Sequence, residues 1–198
     1  MFLLRSKGRP PAPESEGVAE APRPPTPAEF DALYRAHVHF VWRSLRRLGV
    51  REASLDDATQ DVFVVVHRRF HEFRPGSSER AWLFAIAQRV ASDQRRWHRR
   101  KGNLVALHDD LATPADTPLE TALSRESTDL VLAFLDQLDE PRRVALILSD
   151  LEEMTGREIQ EALQVNMSTV YYRVASARKA FVAFLERRKR AADREEQS

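Results

Sequence analysis

The chain has 198 residues, no cysteine, and 31 basic against 30 acidic side chains, for a formal net charge of +1. The lack of cysteine excludes disulfides and thiolate zinc sites and suits a reducing cytoplasm, and no apolar run approaches the roughly 20 residues of a membrane-spanning helix. Because the overall charge is near zero, any nucleic-acid surface must be local. With 6 glycines and no sustained strand-like alternation, the sequence predicts an all-α protein.

The first 27 residues form a proline-rich tail. Seven prolines occur between Pro10 and Pro27, and proline fixes φ and removes a backbone donor. We therefore expect residues 1–27 to be disordered. The apolar start of the chain is too short for a signal peptide.

Two amphipathic helices are predicted after the tail. Residues 28–48 carry apolar side chains at helical spacing, and Gly49 fits the end of this helix. Residues 54–73 repeat the pattern, with Ser54 as a candidate N-cap. The opposite side of the second helix combines acids and an amide with an exposed valine: Asp57, Gln60 and Val64. This mixture suits a protein-binding face, and a solvated face with one stray valine is the alternative.

Two histidines on the second helix are the main metal candidates. His67 and His71 lie one turn apart. The H-E-x-x-H motif needs a glutamate where this chain has Arg68, and no third ligand is evident. The sequence therefore predicts no metal, no cofactor and no catalytic residue.

A polar loop, residues 74–80, leads into a third helix with an arginine-rich side. This helix is predicted over residues 81–100, and its buried stripe includes Val90 and Trp97. Several arginines on one face with few acids are typical of a surface that follows phosphates. Trp82 and Phe84 follow the loop, and we expect one of them to pack while the other stacks on an unpaired base.

Residues 102–124 differ in composition from the helices on both sides. Glycine, proline and acids replace the apolar stripe, which predicts an acidic linker between two domains. The first domain is predicted over residues 28–101 and the second over residues 125–190, with a tail at 191–198. Within the second domain, Asp139 can cap one helix, and residues 152–154 form the turn into the next.

Residues 155–181 predict two helices joined by a tight turn. Thr155 and Glu158 have the spacing of a capping box, and Asn166 is a good N-cap for the second helix. That helix has an apolar stripe and an opposite side that is polar, basic and aromatic. Such a helix fits the DNA major groove, although a solvated helical hairpin has the same pattern.

Three stretches together resemble the extracytoplasmic-function sigma factors, the two-domain class of bacterial transcription initiation factors. Residues 54–63 resemble the region 2 helix that grips the clamp helices of core RNA polymerase. Residues 80–96 resemble the next helix, which opens the minus-ten promoter element. Residues 138–178 resemble region 4, which recognises the minus-thirty-five element. The similarity covers residues 29–184, and its order, spacing and linker make it specific.

The resemblance implies a site for each partner. Core polymerase would bind through its β′ clamp helices and β flap, and the residues facing it would be Asp57, Gln60, Asp61 and Val64. The minus-ten element would contact Arg74, Ser77, Arg80, Trp82, Gln88, Arg89, Ser92, Arg95, Arg96 and Arg99. The minus-thirty-five element would contact Thr169, Tyr171, Tyr172, Arg173, Ala175, Ser176, Arg178 and Lys179. The acidic linker would lie in the polymerase cleft, and an anti-sigma factor would block these surfaces.

Two departures from the family pattern affect these roles. Arg89 stands where the family often has asparagine, so the minus-ten contacts are less transferable. Tyr171 and Tyr172 stand where the recognition helix commonly has basic or small residues, so the upstream sequence preference does not follow by analogy.

The runner-up interpretation is a dimeric helix-turn-helix regulator that binds duplex DNA without joining the polymerase. The first domain discriminates between the two, because a regulator needs a dimerisation or ligand domain there. This chain instead has an arginine-faced helix beside an aromatic loop. A hydrolase built on His67 and His71 lacks a convergent acid, base and third ligand.

Overall fold

The computed structural model describes residues 25–74, 76–100 and 118–195. Within these ranges the regular structure is entirely helical, which confirms the all-α prediction. The predictions for most of the proline-rich tail, for residues 102–117 of the linker and for residues 196–198 fall outside the described residues. Among the described helices, none is both long enough and apolar enough to cross a membrane.

The first bundle consists of three helices between residues 25 and 100. Helix α1 spans Pro27–Arg47, α2 spans Leu55–Arg69 and α3 spans Glu79–Arg100. Each of the three packs against the other two. Short 3-10 turns precede and follow α2, and the side chains at the centre are fully buried: Val41, Leu45, Val62, Leu83 and Phe84.

Local chemistry sets the ends of α1 and the start of α2. Thr26 and Glu29 form a capping box at the start of α1, where the Thr26 backbone N–H donates to the Glu29 carboxylate at 2.7 Å. Gly49 follows the end of α1 with a φ of +85°, as its position predicted. Ser54 occupies the predicted N-cap position of α2, but its side chain makes no capping bond, because this residue lies in a 3-10 turn that runs directly into the helix.

The second bundle consists of the helices between residues 118 and 195. Helix α4 spans Pro118–Gln137, and α5 spans Glu140–Leu146 and continues as a π-helical turn over Ile147–Leu151. Helix α6 spans Gly156–Leu163, and α7 spans Met167–Glu195. Helix α4 begins inside the stretch predicted as linker, with a proline at its first position, where the missing N–H is not needed. Helix α7 continues beyond the predicted boundary at residue 190.

The predicted helix-turn-helix is α6 and α7. The Thr155 backbone N–H donates to Glu158 at 2.9 Å, which completes the predicted capping box. Gln164 ends α6 in the left-handed conformation, with a φ of 53°. The side chain of Asn166 then accepts from the Thr169 backbone N–H at 2.8 Å and caps α7. The boundaries predicted from local sequence are confirmed here.

Several residues of the predicted apolar stripes are not fully buried, among them Val90 of α3, which is half-buried, and the following two. Trp97 is 49% exposed. Its indole lies at the rim of the groove between α2 and α3, beside Asp57 and Val64, and not beneath the bundle. Phe181 is half-buried and packs against Phe134, with ring centroids 4.8 Å apart.

Candidate nucleic-acid interface

Helix α7 has one buried side and one exposed side. Val170, Val174 and Ala177 are buried, whereas Tyr171 and Tyr172 are 67% and 73% exposed. Ala175, Arg178 and Lys179 are also exposed, and Thr169, Arg173 and Ser176 are half-buried. We call these eight positions the recognition face: Thr169, Tyr171, Tyr172, Arg173, Ala175, Ser176, Arg178 and Lys179. The structure thus presents the predicted residues on one accessible helix side.

Arg178 belongs to the recognition face and is already paired with an acid outside that face. Its guanidinium donates to both carboxylate oxygens of Asp150, at 2.9 and 2.8 Å. The side-chain hydrogen bond from Arg178 lowers the pKa of Asp150, and the same bond raises the pKa of Arg178. Such a bidentate pair orients the guanidinium and leaves its remaining N–H groups for a phosphate.

Helix α3 divides the predicted minus-ten residues into two groups. Arg89 and Arg96 are exposed, Ser92 is half-buried, and Arg99 lies in the last turn of the helix. Arg95 instead donates to the Leu48 carbonyl at 3.0 Å and pairs with Glu140 at 3.2 Å. The Gln88 amide also donates to Glu140, at 3.3 Å. We call Gln88, Arg89, Ser92, Arg95, Arg96 and Arg99 the arginine face.

Trp82, in the first turn of α3, lies at the surface of the first bundle beside loop residues 74–78, and we call this loop together with Trp82 the aromatic loop. Phe84 is fully buried. Trp82 is half-buried, with its ring centroid 5.3 Å from that of Phe73, so Phe84 is the more deeply buried residue of the predicted pair. Arg74 is exposed, and Ser77 donates to its carbonyl at 2.7 Å.

A short hydrogen bond lies beside this aromatic loop. His37 of α1 bonds to the Glu79 carboxylate at 2.6 Å. Glu79 lines the pocket that Trp82 also lines. The side chain of His37 is 14% exposed, and nothing in the sequence around it indicates Glu79 as its partner.

The outer side of α2 is exposed and carries three polar residues with one valine. Asp57, Gln60 and Asp61 are exposed, and Val64 is 47% exposed. We call these four residues the acidic face. The groove between α2 and α3 runs along it and is lined by both aspartates and Val64. Among the described residues, no group of three or more metal-ligating side chains occurs.

Comparison with known proteins assigns both bundles. The family model described as Sigma-70 region 2 matches residues 33–101, and the model described as Sigma-70, region 4 matches residues 128–181. The ferric citrate uptake sigma factor FecI of Escherichia coli is 32% identical over 151 residues, which cover 75% of this chain and 86% of FecI. The chain belongs to the extracytoplasmic-function sigma factors.

Other sigma factors extend the comparison. The sigma factor SigE of Mycolicibacterium smegmatis is 32% identical over 160 residues, which cover 79% of this chain and 61% of SigE. CnrH of Cupriavidus metallidurans is 26% identical over 165 residues, covering 79% of this chain and 86% of CnrH. The structure of CnrH in complex with the cytosolic domain of CnrY matches with a TM-score of 0.61 and 25% identity, covering 81% of this chain and 90% of that one.

Membership in the family decides between the two leading interpretations. The first bundle corresponds to sigma region 2, and α4 to α7 contain region 4. This sigma factor is therefore an RNA polymerase subunit that binds core enzyme and promoter DNA, as predicted, and not a free-standing dimeric regulator.

One residue of this sigma factor was not identified from the sequence. Glu152 was predicted only as part of a turn, yet it is buried, and its carboxylate contacts arginines from the first bundle. A glutamate that follows a helix carries no local signal for burial. The nearest partners along the chain are Arg80 and Arg47, more than seventy residues away.

Proposed function

We propose that this sigma factor recognises the minus-thirty-five element through the recognition face of α7. The observation that carries the proposal is the exposure of Tyr171 and Tyr172 on a helix whose other side is buried. An α-helix fits the major groove, and aromatic and basic side chains there contact base edges and phosphates. The capping bonds at Thr155 and Asn166 hold α6 and α7 in the geometry that presents this side.

The minus-ten element binds the aromatic loop and the arginine face. Trp82 offers a ring for stacking on an unpaired base, and stacking of this kind contributes about 1–3 kcal/mol per base. The cost of unpairing and extruding a base is a few kcal/mol, so stacking together with phosphate contacts offsets strand opening. The phosphate contacts come from Arg74, Arg89 and Arg96, which are exposed.

Core polymerase binds the acidic face of α2. The face combines carboxylates with the exposed Val64 beside a groove that includes Trp97. Charged groups around a small apolar centre are typical of protein interfaces, where charges set orientation and the apolar contact supplies affinity. The protein supplies no catalytic group to transcription and acts in the cytoplasm, where core polymerase is found.

A charge reversal tests the polymerase contact. We expect Asp57→Lys combined with Asp61→Lys to weaken binding to core polymerase at least about tenfold, because two favourable charges become repulsive. The matched control reverses Asp31 and Glu72, which are exposed acids elsewhere on the first bundle. Affinity is measured by fluorescence anisotropy with purified core enzyme. An equal loss of affinity for core polymerase in the two double variants would show that the acidic face is not the polymerase site.

An anti-sigma factor is the proposed regulator. CnrH was solved bound to the cytosolic domain of CnrY, and it is similar to this chain over both bundles. A partner of the same kind would cover the acidic face or the arginine face and so compete with core polymerase or DNA.

A further inference from the structure

Trp97 presents a large aromatic ring on a side of α3 that has no role in the proposed DNA contacts. Its surface is 49% exposed. Helical spacing places it on the same side of α3 as Val90 and Asp93, and away from the arginine face. Tryptophan is among the residue types that contribute most to binding energy at protein interfaces. The position of Trp97 therefore indicates a contact with another molecule.

The groove between α2 and α3, which we call the Trp97 groove, is lined by valines as well as by the indole. Val65 and Val90 are half-buried in it, and the exposed Val64 lies along its edge. The groove has a volume of about 580 Å³. Sites that hold a small ligand have volumes of about 300–1,000 Å³, so the Trp97 groove is large enough to receive a long side chain of a partner.

Carboxylates outnumber cations along the Trp97 groove. Asp57 and Asp61 line it from α2 and Asp93 lines it from α3, whereas Arg68 is the one basic side chain among its lining residues. All four side chains are exposed. Within the described ranges, none of the three aspartates forms a salt bridge or a side-chain hydrogen bond. The groove therefore has a net charge of −2 and carboxylates that are available to a partner.

An indole ring beside carboxylates is a combination that binds a cationic side chain. Arginine and lysine are attracted to the face of an aromatic ring, and tryptophan gives the strongest interaction of this kind. A carboxylate can pair with the same cation from another direction. The valines can contact the methylene groups that precede the charge, because this part of lysine and arginine is apolar. The chemistry of the Trp97 groove thus selects a basic side chain.

Core polymerase is the partner whose proposed site is continuous with this groove. Asp57, Asp61 and Val64 belong to the acidic face and also line the Trp97 groove. A polymerase segment bound to that face would lie directly beside the indole. Promoter DNA does not fit here, since its phosphates would face the three carboxylates.

We propose that Trp97 and Asp93 of α3 form a second wall of the polymerase site, and that an arginine or lysine of core polymerase binds between the Trp97 ring and the aspartates. This inference rests on the proposed binding of core polymerase to the acidic face. It extends that site from α2 to α3 and makes Trp97 an anchor for the partner.

Substitutions at Trp97 test the contact in the full-length chain. Trp97→Leu keeps an apolar side chain but removes the aromatic face, and it should weaken binding to purified core polymerase at least about fivefold. Trp97→Phe keeps an aromatic face and should lose no more than about twofold. Tyr34→Leu is the matched control, because Tyr34 is a 40% exposed aromatic residue of the first bundle outside the groove, and its affinity should not change. Fluorescence anisotropy measures affinity, and circular dichroism verifies the fold of each variant.

Asp93→Asn tests the charge on the α3 wall with little effect on packing, since Asp93 is exposed. We expect affinity for core polymerase to fall at least about twofold and to depend less on salt concentration. Asp31→Asn removes the same charge from another exposed position of the first bundle and should have no such effect.

Oxidation by hydroxyl radicals, read by mass spectrometry, locates the contact directly. Oxidation of Trp97 should fall when core polymerase is added, whereas that of Tyr172 on the recognition face should not. Unchanged oxidation of Trp97 in the complex would overturn the inference. So would wild-type affinity of Trp97→Leu, and equal losses in Trp97→Leu and Trp97→Phe would exclude the contact between a cation and the ring.

The charge reversal at Asp57 and Asp61 separates this inference from the proposed function. If the reversal weakens core binding but Trp97→Leu and Asp93→Asn do not, the acidic face remains the polymerase site and the second wall fails. If none of these changes weakens binding, the proposed polymerase site fails as well. If Trp97→Leu changes only the self-association of the free protein in analytical ultracentrifugation, the groove binds a second copy of the chain and the inference is wrong.

Discussion

Tyr172 keeps 73% of its surface exposed in the middle of a regular helix. A single exposed apolar residue is ordinary on a protein surface, but two adjacent tyrosines of this size, beside Arg173 and Lys179, form a patch. Tyrosine offers a rigid ring together with a hydroxyl that donates or accepts hydrogen bonds. Its place on the recognition face therefore suits a contact to base edges and to thymine methyl groups.

Replacing Tyr172 with alanine should weaken recognition of the minus-thirty-five element. We expect a loss of about 1–2 kcal/mol, since a good base contact contributes about that much discrimination. The matched control is Val182→Ala, which truncates another exposed apolar residue of α7 outside the recognition face. Promoter binding is measured with reconstituted holoenzyme, and core binding should be the same for both variants. An unchanged promoter profile for Tyr172→Ala would remove this residue from the recognition face.

Helical periodicity predicted which residues share a side, but it did not predict their partners. The stripe of Val170, Val174 and Ala177 fixed the exposed position of Tyr172 in advance. The same pattern gave no sign that Arg178 pairs with Asp150, because those residues are 28 positions apart. Long-range ion pairs depend on how helices pack, and a single sequence contains no direct record of that.

At the scale of helices, boundaries set by adjacent residues were predictable and boundaries set by packing were not. The capping box at Thr155 and the cap at Asn166 involve residues three apart, and both are confirmed. Ser54 has the right residue type, but the 3-10 turn before α2 takes the place of a cap. Trp97 has the right spacing for burial, but it lies at the rim of the groove between α2 and α3 and is half exposed.

Thr155→Ala should destabilise the helix-turn-helix by about 1 kcal/mol, the usual cost of losing an N-cap oxygen. The Thr155 hydroxyl oxygen accepts from the Glu158 backbone N–H at 3.3 Å, and that donor would be left without its partner. Thr155→Ser keeps the oxygen and should be nearly neutral. Urea unfolding followed by circular dichroism measures both. Equal stability of the two variants would show that the cap does not contribute.

The contribution of Glu158 to stability should depend on pH. The backbone N–H of Thr155 lowers the pKa of Glu158, and side-chain hydrogen bonds from Thr155 and Ser78 add to this. A carboxyl whose folded-state pKa is lowered stabilises the protein above its unfolded pKa of about 4.3, and the effect is lost as the pH falls through the folded value. The difference in unfolding free energy between wild type and Glu158→Gln should therefore shrink below about pH 4.3. A difference that stays constant from pH 7 to pH 3 would contradict this.

At the scale of the whole molecule, the net charge of +1 is the sum of segments with opposite charges. Residues 25–100 have a net charge of +5, residues 118–166 of −7 and residues 167–195 of +5. Helix α3 of the basic first bundle packs on α6 of the acidic segment, and most of the recognition face on the basic α7 is exposed. The near-neutral total implies that the proposed nucleic-acid surfaces are local. It did not predict that the acids would cover one of them, because that depends on the arrangement of the two bundles.

The sequence predicted most of the fold and the composition of each surface. Periodicity, caps and family motifs are all patterns of residues that lie close together in the sequence. It did not predict the availability of those surfaces. Arg80, Gln88 and Arg95 have the right residue types for the minus-ten element, yet each contacts an acid of the second bundle in the structure. The partners of these side chains depend on packing between the bundles, which a single sequence does not record.

Run-off transcription tests whether this protein acts as a sigma factor. Purified protein is combined with bacterial core RNA polymerase and genomic promoter fragments, and the transcript starts are mapped. We expect discrete starts that depend on this protein, with shared sequence elements near minus ten and minus thirty-five. Absence of dependent transcripts, together with tight binding of the protein alone to duplex DNA, would contradict it and would favour a dimeric regulator.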